Sequence, residues 1–187
     1  KDKLIKVLHN LSFVEDPSRI LRAIRFEKRL DFRIARHTER LIRNAVKMDL
    51  FRKSSNPRLF SELQQIFSEE NPIPAIHRLA DYELLQFLWP DLRPNLKIDR
   101  RFLHIVTQTR RAISWFRLLY LDKDADLTPW RIYLLAIMAR SKPAQLESFC
   151  KRFQISQNIC SELIREKVSV EDIANRWYQH LPHKNSF

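Results

Sequence analysis

Apolar residues recur along most of the chain at the three- and four-residue spacings of amphipathic helices. The strict apolar–polar alternation that indicates half-buried strands is not sustained anywhere in the sequence. Prolines mark where many helices begin, because the fixed φ angle of proline suits the first helical turn. The pattern therefore predicts an all-α fold, an elongated array of about eight to ten helices joined by short loops.

The predicted helices follow proline and capping signals along the chain. The predicted ranges are 17–30, 36–48, 57–67 and 72–80, then a long helix after Asp99 and further helices opening at Pro129, Pro143 and Ser169. The last of these rests on a capping-box pattern, since an acid, Asp172, follows Ser169 by three residues. The best candidate breaks between units are 90–94 and 122–126.

Composition excludes several classes of enzyme. The 187 residues include no glycine, so Gly-rich phosphate loops, Rossmann fingerprints and nucleophile elbows are absent from this sequence. The two cysteines are too few for a disulfide scaffold and form no zinc-binding pair, which favours reduced core residues and a cytoplasmic location. No apolar run approaches the roughly 20 residues of a membrane-spanning helix, so no membrane partner is expected.

Charge indicates a polyanionic partner. The chain has 34 lysines and arginines against 22 acidic residues, a formal net charge of +12. Residues 1–60 alone contain 16 basic and 7 acidic side chains, so most of the excess lies in the first third. Nucleic acid is therefore the expected partner.

The most informative segment places two carboxylates, Glu15 and Asp16, before a series of arginines. Asp16 precedes Pro17 and would cap a helix whatever else it does. The arginines that follow are spaced to form a stripe on one side of that helix: Arg19, Arg22, Arg25 and Arg29. An acid and a guanidinium side by side offer an acceptor and a donor to a base edge, while the remaining arginines suit phosphates.

The segment from Ser12 to Phe26 resembles the template motif of class II tRNA nucleotidyltransferases and bacterial poly(A) polymerases. That motif reads S-F-x-E-D-P-x-R-x-L-R-A-x-R-F, and every specified position is matched here. Weaker resemblances follow. Leu30-Asp31-Phe32 stands where the family usually has Leu-Gly-Phe, 58–63 is similar to its E-R-x-x-x-E-L helix, and 71–92 is similar to its N-P-x-x-A stretch.

The resemblance implies a role for each matched residue. Asp16 and Arg19 would hydrogen-bond the Watson–Crick edge of incoming ATP or CTP, Arg22 and Arg25 would line the same nucleotide site, and Glu15 would orient Arg19. It also implies three units: a neck at 1–60, a helical body at 61–140 and a helical tail at 141–187. The RNA 3′ end of a tRNA or another RNA would be the partner.

Further basic residues could extend this surface to RNA phosphates. We predict this role for Arg29 and for a series in and before the next helix: Arg33, Arg36, Arg40, Arg43 and Lys47. We expect core packing for the four tryptophans, which lie on apolar helix faces or at helix starts: Trp89, Trp115, Trp130 and Trp177.

The catalytic half of such an enzyme is not found in the sequence. Family members hold Mg²⁺ on a D-x-D pair in a head domain, and the only D-x-D matches here lie in 122–126, with no strand or glycine turn before them. We expect no metal site in this chain, a head before residue 1, and no nucleotide transfer by the chain alone. Two alternatives stay open: a non-catalytic helical RNA-binding module, and a helical-repeat protein-interaction domain.

Overall fold

The computed structural model describes residues 2–53, 57–89, 99–119 and 127–180. Over these residues the fold is mostly helical, as predicted, with eleven helices of which three are single turns. In chain order they are α1 Ser12–Glu15, α2 Ser18–Arg29, α3 Arg36–Lys47, α4 Leu50–Lys53, α5 Pro57–Ser68, α6 Ile73–Asp81, α7 Leu85–Leu88, α8 Arg100–Leu118, α9 Pro129–Ile137, α10 Pro143–Arg152 and α11 Gln157–His180. No helix in the described part of the chain has the length and apolar character needed to cross a bilayer.

A small parallel sheet accompanies the helices, and the sequence pattern did not predict it. Strand β1 (Leu4–Ile5) pairs with β2 (Arg33–Ile34), with Leu4 opposite Arg33. Two residues per strand are too few to produce a detectable alternation. The pairing holds the N-terminal segment against the turn between α2 and α3.

The core is built around α2, which packs against α5 and α6, while α5 also packs against α9. Three apolar side chains of α2 are fully buried, Ile20, Leu21 and Ile24. Burying each of them stabilises the fold by roughly 1.5–3 kcal/mol. Because this face of α2 is fixed in the core, the arginines on its other faces are held in defined directions.

Four helices end in the left-handed conformation that glycine usually supplies. The residues with positive φ after α2, α3, α6 and α10 are Asp31, Asp49, Glu83 and Gln154. After α2, the Phe32 amide donates to the Glu27 carbonyl at 3.0 Å, the hydrogen bond of a Schellman motif. Asp31, with φ of 52°, thus adopts the turn at the position where the family usually has glycine.

The C-terminal helix corrects one prediction. Helix α11 (Gln157–His180) continues through Ser169, so the helix expected to open there is wrong. Neither proline nor glycine interrupts 157–180, and Lys167 pairs with Glu171 across one turn at 2.9 Å, which favours continuation. The predicted breaks at 90–94 and 122–126 lie outside the described residues. The division into neck, body and tail stays a prediction.

Candidate nucleotide and RNA interface

Asp16 lies in the turn between α1 and α2, in extended backbone conformation. Its Oδ1 accepts hydrogen bonds from the Ser18 amide at 3.0 Å and from the Ser18 hydroxyl at 2.5 Å. The carboxylate thereby satisfies an amide at the start of α2, as the capping prediction expected. Only 9% of Asp16 is exposed.

A second element holds the other oxygen of this carboxylate. Arg58, in the first turn of α5, donates from Nη1 to Asp16 Oδ2 at 3.2 Å. Burial by itself would raise the pKa of Asp16, but the Ser18 hydrogen bonds and the Arg58 guanidinium outweigh burial and hold that pKa below its ordinary value. Asp16 is therefore an ionised acceptor at neutral pH.

Arg19 lies on the first turn of α2 with 45% of its side chain exposed. Its Nη1 donates to the Ser12 carbonyl and to Glu15 Oε2, each at 3.3 Å. Glu15 thus makes the contact that a residue orienting Arg19 would make. The Arg19 amide donates to the Asp16 carbonyl at 3.1 Å, so the two predicted base-reading residues stand together at one end of α2.

The other arginines of α2 diverge in their surroundings. Arg22 is exposed, with its guanidinium carbon 5.6 Å from the Phe26 ring centroid. The Arg25 side chain is only 6% exposed, donates from Nε and Nη2 to Glu62 at 3.3 Å and lies 3.6 Å from Glu69. Exposed Arg29 approaches Glu69 at 3.8 Å. Arg25 therefore ties α2 to α5, and its predicted contact with a nucleotide stays a prediction.

Helix α3 presents a basic stripe. Four exposed residues fall within an arc of about 60° at 3.6 residues per turn, opposite the buried face of the helix: Arg36, Arg40, Arg43 and Lys47. We call these four residues the α3 stripe. Arg43 pairs with Glu39 at 3.2 Å, whereas the other three have no ion pair among the described residues. Arg33 is exposed but belongs to strand β2 rather than to the helix.

This region is similar to known proteins in sequence and in fold. A family profile described as "Probable RNA and SrmB- binding site of polymerase A" matches residues 31–96. The A-adding tRNA nucleotidyltransferase of Geobacter sulfurreducens is 42% identical over 175 residues, 92% of this chain and 19% of that protein. The chain belongs to the tRNA nucleotidyltransferase and poly(A) polymerase family.

Solved structures of the family share the fold. A CCA-adding enzyme in complex with ATP matches with a TM-score of 0.77 and 31% identity, over 98% of this chain and 41% of that one. The Thermotoga maritima CCA-adding enzyme complexed with tRNA matches with a TM-score of 0.74 and 29% identity, over 97% and 42%. The chain spans about a fifth of the Geobacter tRNA nucleotidyltransferase and about two fifths of these two enzymes.

Two residues of the family's E-R-x-x-x-E-L helix belong to the site, although the sequence analysis gave them no role. Arg58 holds Asp16 and Glu62 holds Arg25, so one face of α5 supports two residues of the template motif. Their i, i+4 spacing would have shown that they share a helix face. Which partner each one meets across 37 or 42 residues of sequence could be read only from the structure.

The sequence analysis also gave no role to an ion pair between buried Glu27 and half-buried Arg78. Glu27 accepts from Arg78 of α6 at 2.9 Å and from the Ile34 amide of β2 at 3.2 Å. The pair joins α2, α6 and the strand that precedes the α3 stripe. It thereby holds α3 in position relative to α2.

No group of three or more metal-ligating side chains is found within the described ranges 2–53, 57–89, 99–119 and 127–180. The predicted D-x-D matches at 122–126 lie outside them. The family resemblance implies Mg²⁺ on a head domain, and the residues described form no site that fits it.

Proposed function

We propose that this chain is the nucleotide-selecting and RNA-binding region of an enzyme that adds CMP and/or AMP to RNA 3′ ends. The observation that carries the proposal is the pair at the start of α2, where a fixed carboxylate and a half-exposed arginine stand together. The matches to an A-adding enzyme and to a CCA-adding enzyme with bound ATP support a role with ATP or CTP.

Asp16 retains acceptor capacity for a base. A carboxylate has about four acceptor positions, and the described contacts use three of them, two from Ser18 and one from Arg58. The remaining position can accept from the exocyclic amine that adenine and cytosine share. Arg19 supplies the complementary donor to a ring nitrogen or carbonyl oxygen.

Fixing the pair improves its selectivity. A donor and acceptor held by protein contacts cannot rotate freely to suit another pattern of base edges, so a mismatched base leaves polar groups unpaired. Ser18 and Arg58 hold the acceptor, while Glu15 and the Ser12 carbonyl hold the donor. The α3 stripe and the exposed Arg29 and Arg33 would bind phosphates of the tRNA or other RNA substrate.

Chemistry would come from outside the described residues. In this proposal Mg²⁺ is held by the D-x-D carboxylates of a head domain, and the region described here selects and positions. The chain alone, incubated with Mg²⁺, tRNA, ATP and CTP, is then expected to give no 3′ extension. Robust extension would overturn the assignment of catalysis to a separate head. A cytoplasmic location remains a prediction from the sequence.

The selecting pair is tested where this region is joined to its nucleotidyltransferase head. The double variant Asp16→Ala, Arg19→Ala is expected to lose discrimination among the four nucleotides while RNA affinity stays within about twofold. Lys28→Ala is a control on the same helix, since its side chain is 35% exposed and has no predicted role at the nucleotide site. A double variant that retains wild-type discrimination would contradict nucleotide selection and favour a non-catalytic RNA-binding module. A chain with no salt-dependent RNA affinity would favour a protein-interaction domain.

A further inference from the structure

Helix α8 (Arg100–Leu118) has an unusual charge pattern for a helix of 19 residues. It contains five arginines and a histidine, and it contains no aspartate or glutamate. Without acids on the helix itself, i, i+4 pairs cannot neutralise these arginines. The positive charge must meet another element, solvent or a partner.

One side of α8 collects cationic, aromatic and apolar groups. Five exposed positions fall within an arc of about 60°, opposite the buried Phe102, Val106 and Ile113. They are Arg100, His104, Arg111, Trp115 and Leu118, and we call them the α8 face. At 1.5 Å per residue the face is about 27 Å long.

The arginines of the α8 face have no carboxylate partner among the residues that the structure describes. In the described portion of the chain, neither Arg100 nor Arg111 has an ion pair. At the N-terminal end, Arg100, Arg101, His104 and Arg140 line an open depression of about 630 Å³. Among the described residues, the Asp99 carboxylate bonds to one of these arginines, accepting from Arg140 at 3.2 Å. Asp99 also caps α8 by accepting from the Phe102 amide at 2.6 Å.

The sequence predicted core packing for Trp115, and this prediction is wrong, since 63% of the residue is exposed. Trp89, by contrast, is buried and stacks on Phe149 with the rings 8° from parallel. An exposed indole one turn from Arg111 offers a flat apolar surface beside a cation. Such a pair matches a nucleobase and its neighbouring phosphate.

We propose that the α8 face is a second RNA-contact surface, on which Arg100 and Arg111 bind phosphates and the Trp115 indole stacks on an unpaired base. The inference rests on the proposed function in that it takes RNA as the partner. The five arginines of α8, with no acid on the helix, favour a polyanion, because a surface of one sign of charge attracts a partner of the opposite sign. Stacking requires a base outside a duplex, so the RNA bound there has a loop, bulge or single-stranded end.

The test compares two RNA probes of equal length, a hairpin with an unpaired loop and a blunt duplex, by fluorescence anisotropy with the full 187-residue chain. Trp115→Ala is expected to weaken hairpin binding roughly ten- to hundredfold and to leave duplex binding within about twofold. Trp115→Phe should retain most of the hairpin affinity because it keeps an aromatic face. Affinity falls as salt rises, and Arg100→Gln with Arg111→Gln should make the slope of log affinity against log salt less negative by about 2.

Leu118→Ala is the matched control, since Leu118 is 70% exposed on the same face and cannot stack on a base. Equal losses for hairpin and duplex in Trp115→Ala, or no loss in either, would overturn stacking. Self-association in sedimentation that both Trp115→Ala and Leu118→Ala abolish would show that the face docks protein, and would also overturn it.

The α3 stripe separates this inference from the proposed function. If substitutions in the α3 stripe weaken RNA binding and those on α8 do not, only the present inference fails. If the wild-type chain has no salt-dependent affinity for either probe, the proposed function fails as well.

Discussion

Two arginines on α2, Arg19 and Arg25, have surroundings opposite to those of two arginines on α8, Arg100 and Arg111. On α2, Arg19 is held by Glu15, and Arg25 is held by Glu62 of α5 and by Glu69, the residue after α5. On α8, Arg100 and Arg111 project from a helix without acids and form no ion pair within the part of the chain described. Similar side chains are thus positioned in one place and left available in the other.

The difference corresponds to two kinds of recognition. Reading a base edge requires a donor and acceptor with fixed directions, which ion pairs and hydrogen bonds provide. Binding phosphates requires charge that releases counterions, and a neighbouring carboxylate would weaken it. In the proposal, the start of α2 therefore selects the nucleotide, and the α3 stripe and the α8 face bind RNA phosphates.

Among the carboxylates that hold arginines in place, Glu27 is expected to have the largest effect on stability. Glu27→Gln should lower the free energy of unfolding by about 2–3 kcal/mol, because a buried carboxylate loses its charge-assisted hydrogen bonds to Arg78 and to the Ile34 amide. Arg78 keeps Glu39 and Asp81, each 3.7 Å away. Urea unfolding measures the change. Glu15→Gln is the control, since its ion pair is exposed and should be worth less than about 1 kcal/mol. Equal effects for the two variants would contradict a structural role for the Glu27–Arg78 pair.

Asp16→Asn tests the second held carboxylate through pH. The pKa of Asp16 is lowered in the folded chain, so its stabilisation is present above the unfolded pKa, near 3.9, and is lost as pH falls through the lowered folded value. The variant should be about 1–3 kcal/mol less stable at pH 7, as expected for hydrogen bonds to a charged group. The deficit should shrink progressively below about pH 4 in urea unfolding at pH 7, 5 and 3. A deficit independent of pH would show that ionisation of Asp16 does not stabilise the fold.

The smallest expected effect is at the turn that connects α2 to β2. Asp31→Gly should raise stability by less than about 1 kcal/mol, because relief of left-handed strain slightly exceeds the backbone entropy that glycine loses. Thermal unfolding measures the shift, and Lys28→Gly inside α2 should instead lower stability by about 1 kcal/mol. A loss at Asp31 as large as that at Lys28 would mean that the aspartate side chain makes a contact the turn needs.

Much of the fold could be predicted from the sequence, because proline and capping signals are local. The helices opening near Pro57, Asp99 and Pro129 are where these signals place them. The Ser169 signal failed because a capping box starts a helix only where the preceding residues are not already helical. The two-residue strands depend on pairing between segments 29 residues apart, and nothing local encodes that.

The candidate site divides along the same line. Glu15, Asp16 and Arg19 lie within five consecutive residues at the junction of α1 and α2, so the motif predicted their proximity. The burial of Arg25 and the contact between Arg58 and Asp16 depend on how α5 packs against α2, which the sequence pattern does not specify. The exposure of Trp115 likewise depends on which side of α8 meets the core.

The salt dependence of RNA affinity tests the division of labour most directly. We expect the triple variant Arg36→Gln, Arg40→Gln, Lys47→Gln to make the slope of log affinity against log salt less negative by about 3. Under the same conditions Asp16→Ala with Arg19→Ala should leave the slope within about 1 of wild type. A salt dependence that weakens more in the α2 variant than in the α3 variant would contradict the account.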